Sequence, residues 1–184
     1  YAVIAANAPT GVTPEQAAVW AYPMNHEESI SPDALREEVI FNMVSAMLLR
    51  IHQSGHLAKL DEERKALVKQ ALSVYKTIRP DIRVSRPFWP LGLAGYSDEI
   101  VSLGLFVEGK AYLAVWKRSG AAESVTLPIS DAVRTALDSE KIALSCIYPG
   151  PETAEASYDP LEKAVKVALP KPVMARLFEL TPDR

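Results

Sequence analysis

The sequence predicts an α/β half followed by an antiparallel β-sandwich, and three observations along its 184 residues carry this prediction. Residues 1–80 read as strand, strand, helix, short strand and helix. Residues 81–97 contain two prolines and two glycines without a period, which is typical of a connector. From residue 98 onward, short apolar runs recur at intervals of roughly 10–20 residues, as in an all-β domain.

The α/β half contains two predicted strands before its first helix and a short one after it. Residues 1–6 are apolar and indicate a buried strand, with a turn over residues 7–11. Residues 17–22 form the second apolar run, which Pro23 closes, and residues 50–57 form a short strand with a loop. Two or three parallel strands cannot bury both faces of a sheet. We therefore expect this half to need further sequence.

Two helices complete the α/β half. Ser31 and Pro32 are a preferred cap and a preferred first residue. The first helix has an apolar residue at every fourth position, at Leu35, Val39, Met43, Met47 and Ile51. We expect Met43, Met47 and Ile51 to face apolar partners, some of which a second copy supplies or the chain lacks. Asp61 is predicted to cap the second helix, and Pro80 to end it.

Six strands are predicted after the connector. Residues 100–107 and 111–116 form a hairpin across Glu108–Lys110. The other predicted strands are residues 124–127, 142–147, 164–169 and 175–180. Because residues 163–169 alternate polar and apolar, that strand is expected to have one face in solvent. We predict that residues 98–184 form a small antiparallel β-sandwich domain.

Composition excludes several classes of function. The chain is 48% hydrophobic and 23% charged, which is typical of a globular protein. A net charge of −3 with scattered basic residues gives no electrostatic footprint for nucleic acid. No run approaches the roughly 20 apolar residues of a membrane helix. Cys146 is the only cysteine, which suits a reducing compartment, so we expect a cytoplasmic protein that binds neither nucleic acid nor membrane.

Four short motifs resemble one known family, in the same order. Pro14–Gln16 leads into Trp20-Ala21-Tyr22-Pro23, and Ser54–Leu57 follows the first helix. Tyr75–Arg79 and Ala175–Leu180 complete the set. These motifs resemble those at the end of the catalytic domain of melibiase-type α-galactosidases, glycoside hydrolase family 36. The resemblance extends over nearly the whole chain. It implies that residues 1–80 are the end of a (β/α)8 TIM barrel, which needs about 250 residues in full.

The resemblance also implies an activity. Members are retaining glycosidases that cleave terminal α-galactosides by double displacement without a cofactor, using two carboxylates about 5–5.5 Å apart. In the family both catalytic aspartates precede the Trp-Ala-Tyr-Pro segment, the nucleophile in a Lys-x-Asp motif. Lys59-Leu60-Asp61 has that pattern but follows the last barrel strand, so we interpret Asp61 as a helix cap. We expect this chain alone to be inactive, and its parent to take an α-galactoside oligosaccharide.

Five residues are candidates for one wall of a sugar site. Glu15 and Gln16 are expected in a loop after a strand, where each can bond sugar hydroxyls; the alternative is that they cap a turn or pair with a neighbouring loop. Trp20 and Tyr22 can stack on a sugar ring or pack in a core. His56 ends the last strand and can touch substrate. His52 and His56 lack a third ligand and make a poor zinc site.

A second hypothesis is a stand-alone module, either a carbohydrate-binding or an assembly β-sandwich without catalysis. In its favour, this chain holds no catalytic pair. Against it, the first 80 residues would expose apolar faces if left alone. We expect a homo-oligomer or contact with the missing portion of the barrel. No glycine-rich phosphate loop supports a nucleotide cofactor.

Overall fold

A computed structural model describes residues 1–23, 32–55 and 57–183. Its helices are α1 Ala2–Asn7, α2 Pro32–Met47, α3 Glu62–Ile82 and α4 Asp131–Leu137. Its first five strands are β1 Ala18–Ala21, β2 Arg50–Gln53, β3 Arg86–Phe88, β4 Ile100–Val107 and β5 Lys110–Lys117. The remaining strands are β6 Ser124–Pro128, β7 Ile142–Tyr148, β8 Ala156–Asp159, β9 Ala164–Ala168 and β10 Met174–Pro182.

The first half contains one strand–helix–strand unit. β1 and β2 pair in parallel, with Ala18 opposite Arg50 and Trp20 opposite His52, and α2 connects them. Val19 and Ala21 are buried on the side of β1 that α2 covers, because successive strand residues point to opposite faces. This unit agrees with the α/β prediction. The described residues contain only these two parallel strands, so they do not show a barrel end.

The predicted strand over residues 1–6 is wrong, because Ala2–Asn7 forms helix α1. Its sequence is rich in alanine, the best helix former. Ala2, Ala5 and Ala6 are buried together, and α1 packs against β4 and α2. The small alanine side chains thus fit the interface between this helix and its neighbours. A short run of apolar residues alone does not distinguish a helix from a strand.

Helix α3 begins as predicted and ends later than predicted. Asp61 caps it, with Oδ1 accepting a hydrogen bond from the Arg64 backbone N–H at 2.8 Å. The helix continues past Pro80 to Ile82. Proline is tolerated there because it lies in the last turn, and the buried side chains of Ile78 and Ile82 hold that turn against the core.

The second half is two packed antiparallel sheets, consistent with the predicted β-sandwich. The larger sheet has the strand order β3-β4-β5-β10-β7, and the smaller has β6-β9-β8. Their shared core contains Leu113, Val115, Val165, Val167 and Phe178. The β4–β5 hairpin is confirmed, since Val107 pairs with Lys110 and Gly109 has a φ of +73°. Helix α4 and strands β3 and β8 were not predicted, and β3 lies within residues 81–97, which we interpreted as a connector.

The other face of the larger sheet covers helix α2. Tyr112 and Leu177 belong to the same buried cluster as Met43 and Met47. Ile51, which we predicted on this helix, lies instead in β2 and packs against the cluster while partly buried. The expectation that part of this helix face lacks partners is therefore wrong. The physical reason is that β10 lies directly on α2, so the sheet supplies the apolar surface that we expected from elsewhere. One core runs from α1 to the larger sheet.

Candidate functional site

The exposed face of the β1–β2 sheet carries the candidate site. Trp20 and Tyr22 project from the side of β1 opposite α2 and are 52% and 37% exposed. His52 lies beside Trp20 in the register of the two strands. The two-residue alternation that buries Val19 and Ala21 sends these side chains to the other face. In this chain neither Trp20 nor Tyr22 is packed in the core, which was one of their two predicted roles.

These side chains form a small aromatic cluster. The rings of Trp20 and Tyr22 stack with centroids 6.1 Å apart and an interplanar angle of 17°. The His52 ring meets the edge of Trp20 at 5.4 Å, and Tyr1 lies 6.1 Å from Tyr22. Gly55 has a φ of +88°, and a Cβ there would lie 3.8 Å from the Tyr22 ring. The cluster is therefore an aromatic surface at the carboxyl end of β1, in which the Trp20 and Tyr22 rings are nearly parallel and the Tyr1 and His52 rings are inclined to their neighbours by 49° and 86°.

Glu15 and Gln16 lie before the amino-terminal end of β1, away from Tyr22. They form a turn before β1, in which the Gln16 backbone N–H donates to Thr13 at 2.9 Å. Because residues 1–6 are helical, this loop does not follow a strand, and that part of the prediction is wrong. A strand rises about 3.3 Å per residue, which puts Gln16 and Tyr22 roughly 20 Å apart. The five candidates therefore do not form one cluster.

Glu15 is tied into its turn. Its Oε1 accepts a hydrogen bond from the Thr13 hydroxyl at 2.8 Å, as in the alternative of a turn-stabilising role. Its Oε2 is buried and has no hydrogen-bond partner among the described residues. A buried carboxylate oxygen without a donor is costly. The bond from Thr13 therefore supports the turn-stabilising role of Glu15.

The remaining candidates form no metal centre among the described residues. His56 and His26 lie outside the described residues. Asp61 serves as the α3 cap, and the Arg64 backbone N–H, followed by the charged Arg64 side chain, lowers the pKa of its carboxyl. Within residues 1–23, 32–55 and 57–183, no group of three histidine, cysteine or acidic side chains has metal-binding geometry. In the same residues, no helix is long and apolar enough to cross a membrane.

Two members of the aromatic cluster were not predicted from the sequence. Tyr1 was assigned to a strand, and His52 was considered only as a metal ligand. A signal for His52 exists, because a parallel pairing of 18–21 with 50–53 places it next to Trp20. No sequence pattern predicts that Tyr1 lies near Tyr22, because Tyr1 precedes helix α1 and is not in the β1–β2 register.

Comparison with solved structures shows which fold this is. A variant of the GH36 α-galactosidase AgaA from Geobacillus stearothermophilus, in complex with raffinose, matches 90% of this chain with a TM-score of 0.58 and 18% identity. The galactosidase domain of the α-galactosidase–sucrose kinase AgaSK matches 90% with a TM-score of 0.57 and 16% identity. Another AgaA variant, in complex with stachyose, matches with a TM-score of 0.56 and 19% identity.

The chain has the fold of part of a GH36 α-galactosidase. This likeness supports the relationship to the carboxy-terminal part of GH36 enzymes that the sequence motifs indicate. The matched region is only 21% of each of those chains, so this chain spans about a fifth of their length. No protein-family model and no curated protein matches the sequence.

Proposed function

We propose that this chain is the carboxy-terminal part of a retaining α-galactosidase-like glycoside hydrolase. It supplies the last two strands and helices of a TIM barrel, over residues 1–80, and the β-sandwich that follows. The parent enzyme cleaves terminal α-galactosides by double displacement, with both catalytic aspartates outside this chain. The GH36 fold and the ordered motifs support this proposal, as do the raffinose and stachyose bound by similar enzymes.

The exposed aromatic pair is the observation that carries the proposal. A TIM barrel places its helices outside and its ligand chemistry at the carboxyl ends of its strands. Helix α2 covers one face of β1, so the opposite face, with Trp20 and Tyr22, is the interior side. Tyr22 follows the last residue of β1, at the active edge. Two stacked rings there suit the apolar face of a sugar.

In this proposal the β-sandwich braces the barrel. Strand β10 packs on α2, and the Arg176 guanidinium binds the Glu37 carboxylate on α2 through two hydrogen bonds of 2.8 and 3.0 Å. Because α2 connects β1 to β2, fixing this helix also fixes the strands that carry the aromatic cluster. The sandwich then acts through position rather than by touching substrate.

Hydrolysis of p-nitrophenyl α-D-galactoside tests the proposal. The 184-residue chain alone is expected to give no turnover, and the parent protein to give turnover. In the parent, Trp20→Ala and Tyr22→Ala are expected to lower kcat/KM about tenfold or more, the loss of one good contact. Tyr96→Ala is the matched control, because Tyr96 is 90% exposed and lies in the connector.

Three results would contradict the proposal. Turnover by the 184-residue chain alone would require a catalytic carboxylate within it. If Tyr22→Ala and Tyr96→Ala change kcat/KM of the parent enzyme equally, the aromatic cluster is not part of the substrate site. Raffinose binding by the isolated chain that survives Trp20→Ala would favour the alternative, a carbohydrate-binding β-sandwich module.

A further inference from the structure

Helix α3 is bound to the β-sandwich by hydrogen bonds at two separate points. The buried Tyr148 hydroxyl on β7 donates to the Leu67 carbonyl in the first half of the helix at 3.3 Å. In the last turn, the Tyr112 hydroxyl on β5 donates to the Asp81 carboxylate at 2.5 Å. Neither contact involves α2, so the sandwich holds α3 independently of that helix.

Helix α2 is bound to the same sandwich through the carboxylate of Glu37. This group accepts hydrogen bonds of 2.8 and 3.0 Å from Arg176 on β10, and Lys171 Nζ lies 2.9 Å from it in the turn before β10. The side chains of Glu37 and Arg176 are 5% and 3% exposed. Burial acts most strongly and raises the pKa of Glu37, but the two cations together lower this pKa below its ordinary value. The contact therefore depends on an ionised Glu37.

Glu37 is the acidic partner of Arg176, and no other acid pairs with it among the described residues. The remaining bonds of the guanidinium go to backbone carbonyls. The neighbouring Arg36 pairs with Glu63 on α3 at 2.8 Å. Tyr148 stays neutral, because burial raises the pKa of its hydroxyl. A proton on Glu37 therefore leaves the guanidinium as a buried charge without a counter-charge, which is costly.

Glu37 lies toward the end of α2 that is next to the aromatic cluster. The helix ends at Met47, and β2 begins three residues later with Arg50 opposite Ala18, at the start of β1. The helix therefore runs antiparallel to both strands, as in other strand–helix–strand units, and its first turns lie toward their carboxyl ends. Tyr22 follows β1 at that end. Release of Glu37 thus loosens α2 on the side of Tyr22.

We propose that Glu37, Arg176 and Lys171 form an acid-sensitive latch on α2. When Glu37 takes up a proton, the first half of α2 separates from β10, while α3 and the two sheets stay folded. Such a local opening requires less free energy than unfolding of the whole chain. In the parent enzyme the opened form binds α-galactosides more weakly, because Tyr22 is no longer held in place. This consequence rests on the proposed function, whereas the latch itself does not.

Hydrogen–deuterium exchange of the 184-residue chain tests the latch. Glu37→Gln imitates the protonated carboxyl at pH 7. Protection of the backbone amides of residues 37–43 is expected to fall about 100-fold or more, the equivalent of the lost buried pair, and to end well below that of residues 67–78 in α3. Tyr112→Phe is the matched control, because it removes a buried contact of α3 instead. It is expected to leave the protection of residues 37–43 unchanged.

Equal protection of residues 37–43 and 67–78 in both variants would overturn the latch, because the chain would then open only as a whole. If Glu37→Gln does not fold, the wild-type chain is followed as the pH falls below 4.5, with exchange rates corrected for their intrinsic pH dependence. Residues 37–43 are expected to lose protection before residues 67–78. Simultaneous loss would overturn the proposal.

The pH profile of the parent enzyme tests the consequence for the sugar site. Lys171→Ala removes one of the two cations that lower the pKa of Glu37. The acid loss of kcat/KM for p-nitrophenyl α-D-galactoside is therefore expected at a higher pH than in wild type. Lys166→Ala is the control, because Lys166 pairs with Asp159 and Glu162. The same profile in both variants would show that the latch does not act on this site. A parent without turnover would contradict the proposed function, and exchange would still decide the latch.

Discussion

A buried ion pair joins two parts of the chain that lie far apart in sequence. Arg176 on β10 and Glu37 on α2 are separated by 139 positions, and their side chains are 3% and 5% exposed. Both carboxylate oxygens accept bonds from the guanidinium, and Lys171 Nζ lies 2.9 Å from Oε1. Removing one member leaves a buried charge without its partner, which is far more costly than losing an exposed pair.

Glu37→Gln is therefore expected to lower the free energy of unfolding by about 3–5 kcal/mol. Glu63→Gln is the control, because its pair with Arg36 is solvent-exposed and its loss costs about 1 kcal/mol or less. Urea denaturation of both variants measures the difference. Equal midpoints for the two variants would show that the buried pair contributes no more than a surface pair.

The same pair predicts a dependence on pH. Burial opposes ionisation of Glu37 most strongly, but Arg176 and Lys171 together lower its pKa below 4.5. A lowered pKa in the folded state stabilises the fold above the unfolded value, and this stability is lost as pH falls through the folded pKa. The difference in unfolding free energy between wild type and Glu37→Gln is expected to be constant above the ordinary glutamate pKa of 4.5 and to narrow as the pH falls below it. A difference that stays constant below this pKa would contradict this.

Gly104 has a steric role that its neighbours in sequence do not indicate. It pairs with Phe88 across β3 and β4, and an added Cβ would collide with the Phe88 ring. Gly104→Ala is expected to destabilise the fold by about 1–3 kcal/mol through overpacking. Gly11→Ala is the control, because a Cβ there meets nothing within 4 Å. Phe88→Leu in the Gly104→Ala background should restore part of the stability if the collision is the cause.

At the scale of elements, the cap of α3 can be tested separately from catalysis. Asp61→Ala removes the acceptor for the Arg64 N–H and is expected to cost about 0.5–2 kcal/mol. Asp61→Asn keeps a capping oxygen and should cost less. Thermal unfolding followed by circular dichroism measures both. In the parent enzyme, neither variant should change kcat; a loss of kcat with Asp61→Asn would indicate a catalytic role.

At the scale of the molecule, one apolar core crosses the connector. Met43 and Met47 on α2 pack in one cluster with Trp116 and Leu177 of the larger sheet. We therefore expect the chain to unfold in a single cooperative transition, although the sequence predicts two parts. Tryptophan fluorescence and far-ultraviolet circular dichroism during urea denaturation should give coincident curves. Two separated transitions would show that the halves unfold independently.

Features that depend on a repeating local backbone geometry can be predicted from the sequence alone. The four-residue spacing of Val39, Met43 and Met47 predicts a buried helix face, because a helix returns to the same side every 3.6 residues. Glu108 and Gly109 predict the hairpin for a similar reason, since few residues adopt the positive φ of that turn. In the candidate site, Trp20 and Tyr22 share a face because strand side chains alternate.

The pairing of surfaces from distant parts of the chain could not be predicted from the sequence. Helix α1 exists because Ala2, Ala5 and Ala6 fit against α2 and β4, and no periodic signal in six residues gives that partner. The larger sheet covers α2, and Arg176 meets Glu37, through contacts between distant parts of the chain. Such contacts depend on how all the elements pack together. Patterns in the sequence directly predict only the local conformation of neighbouring residues.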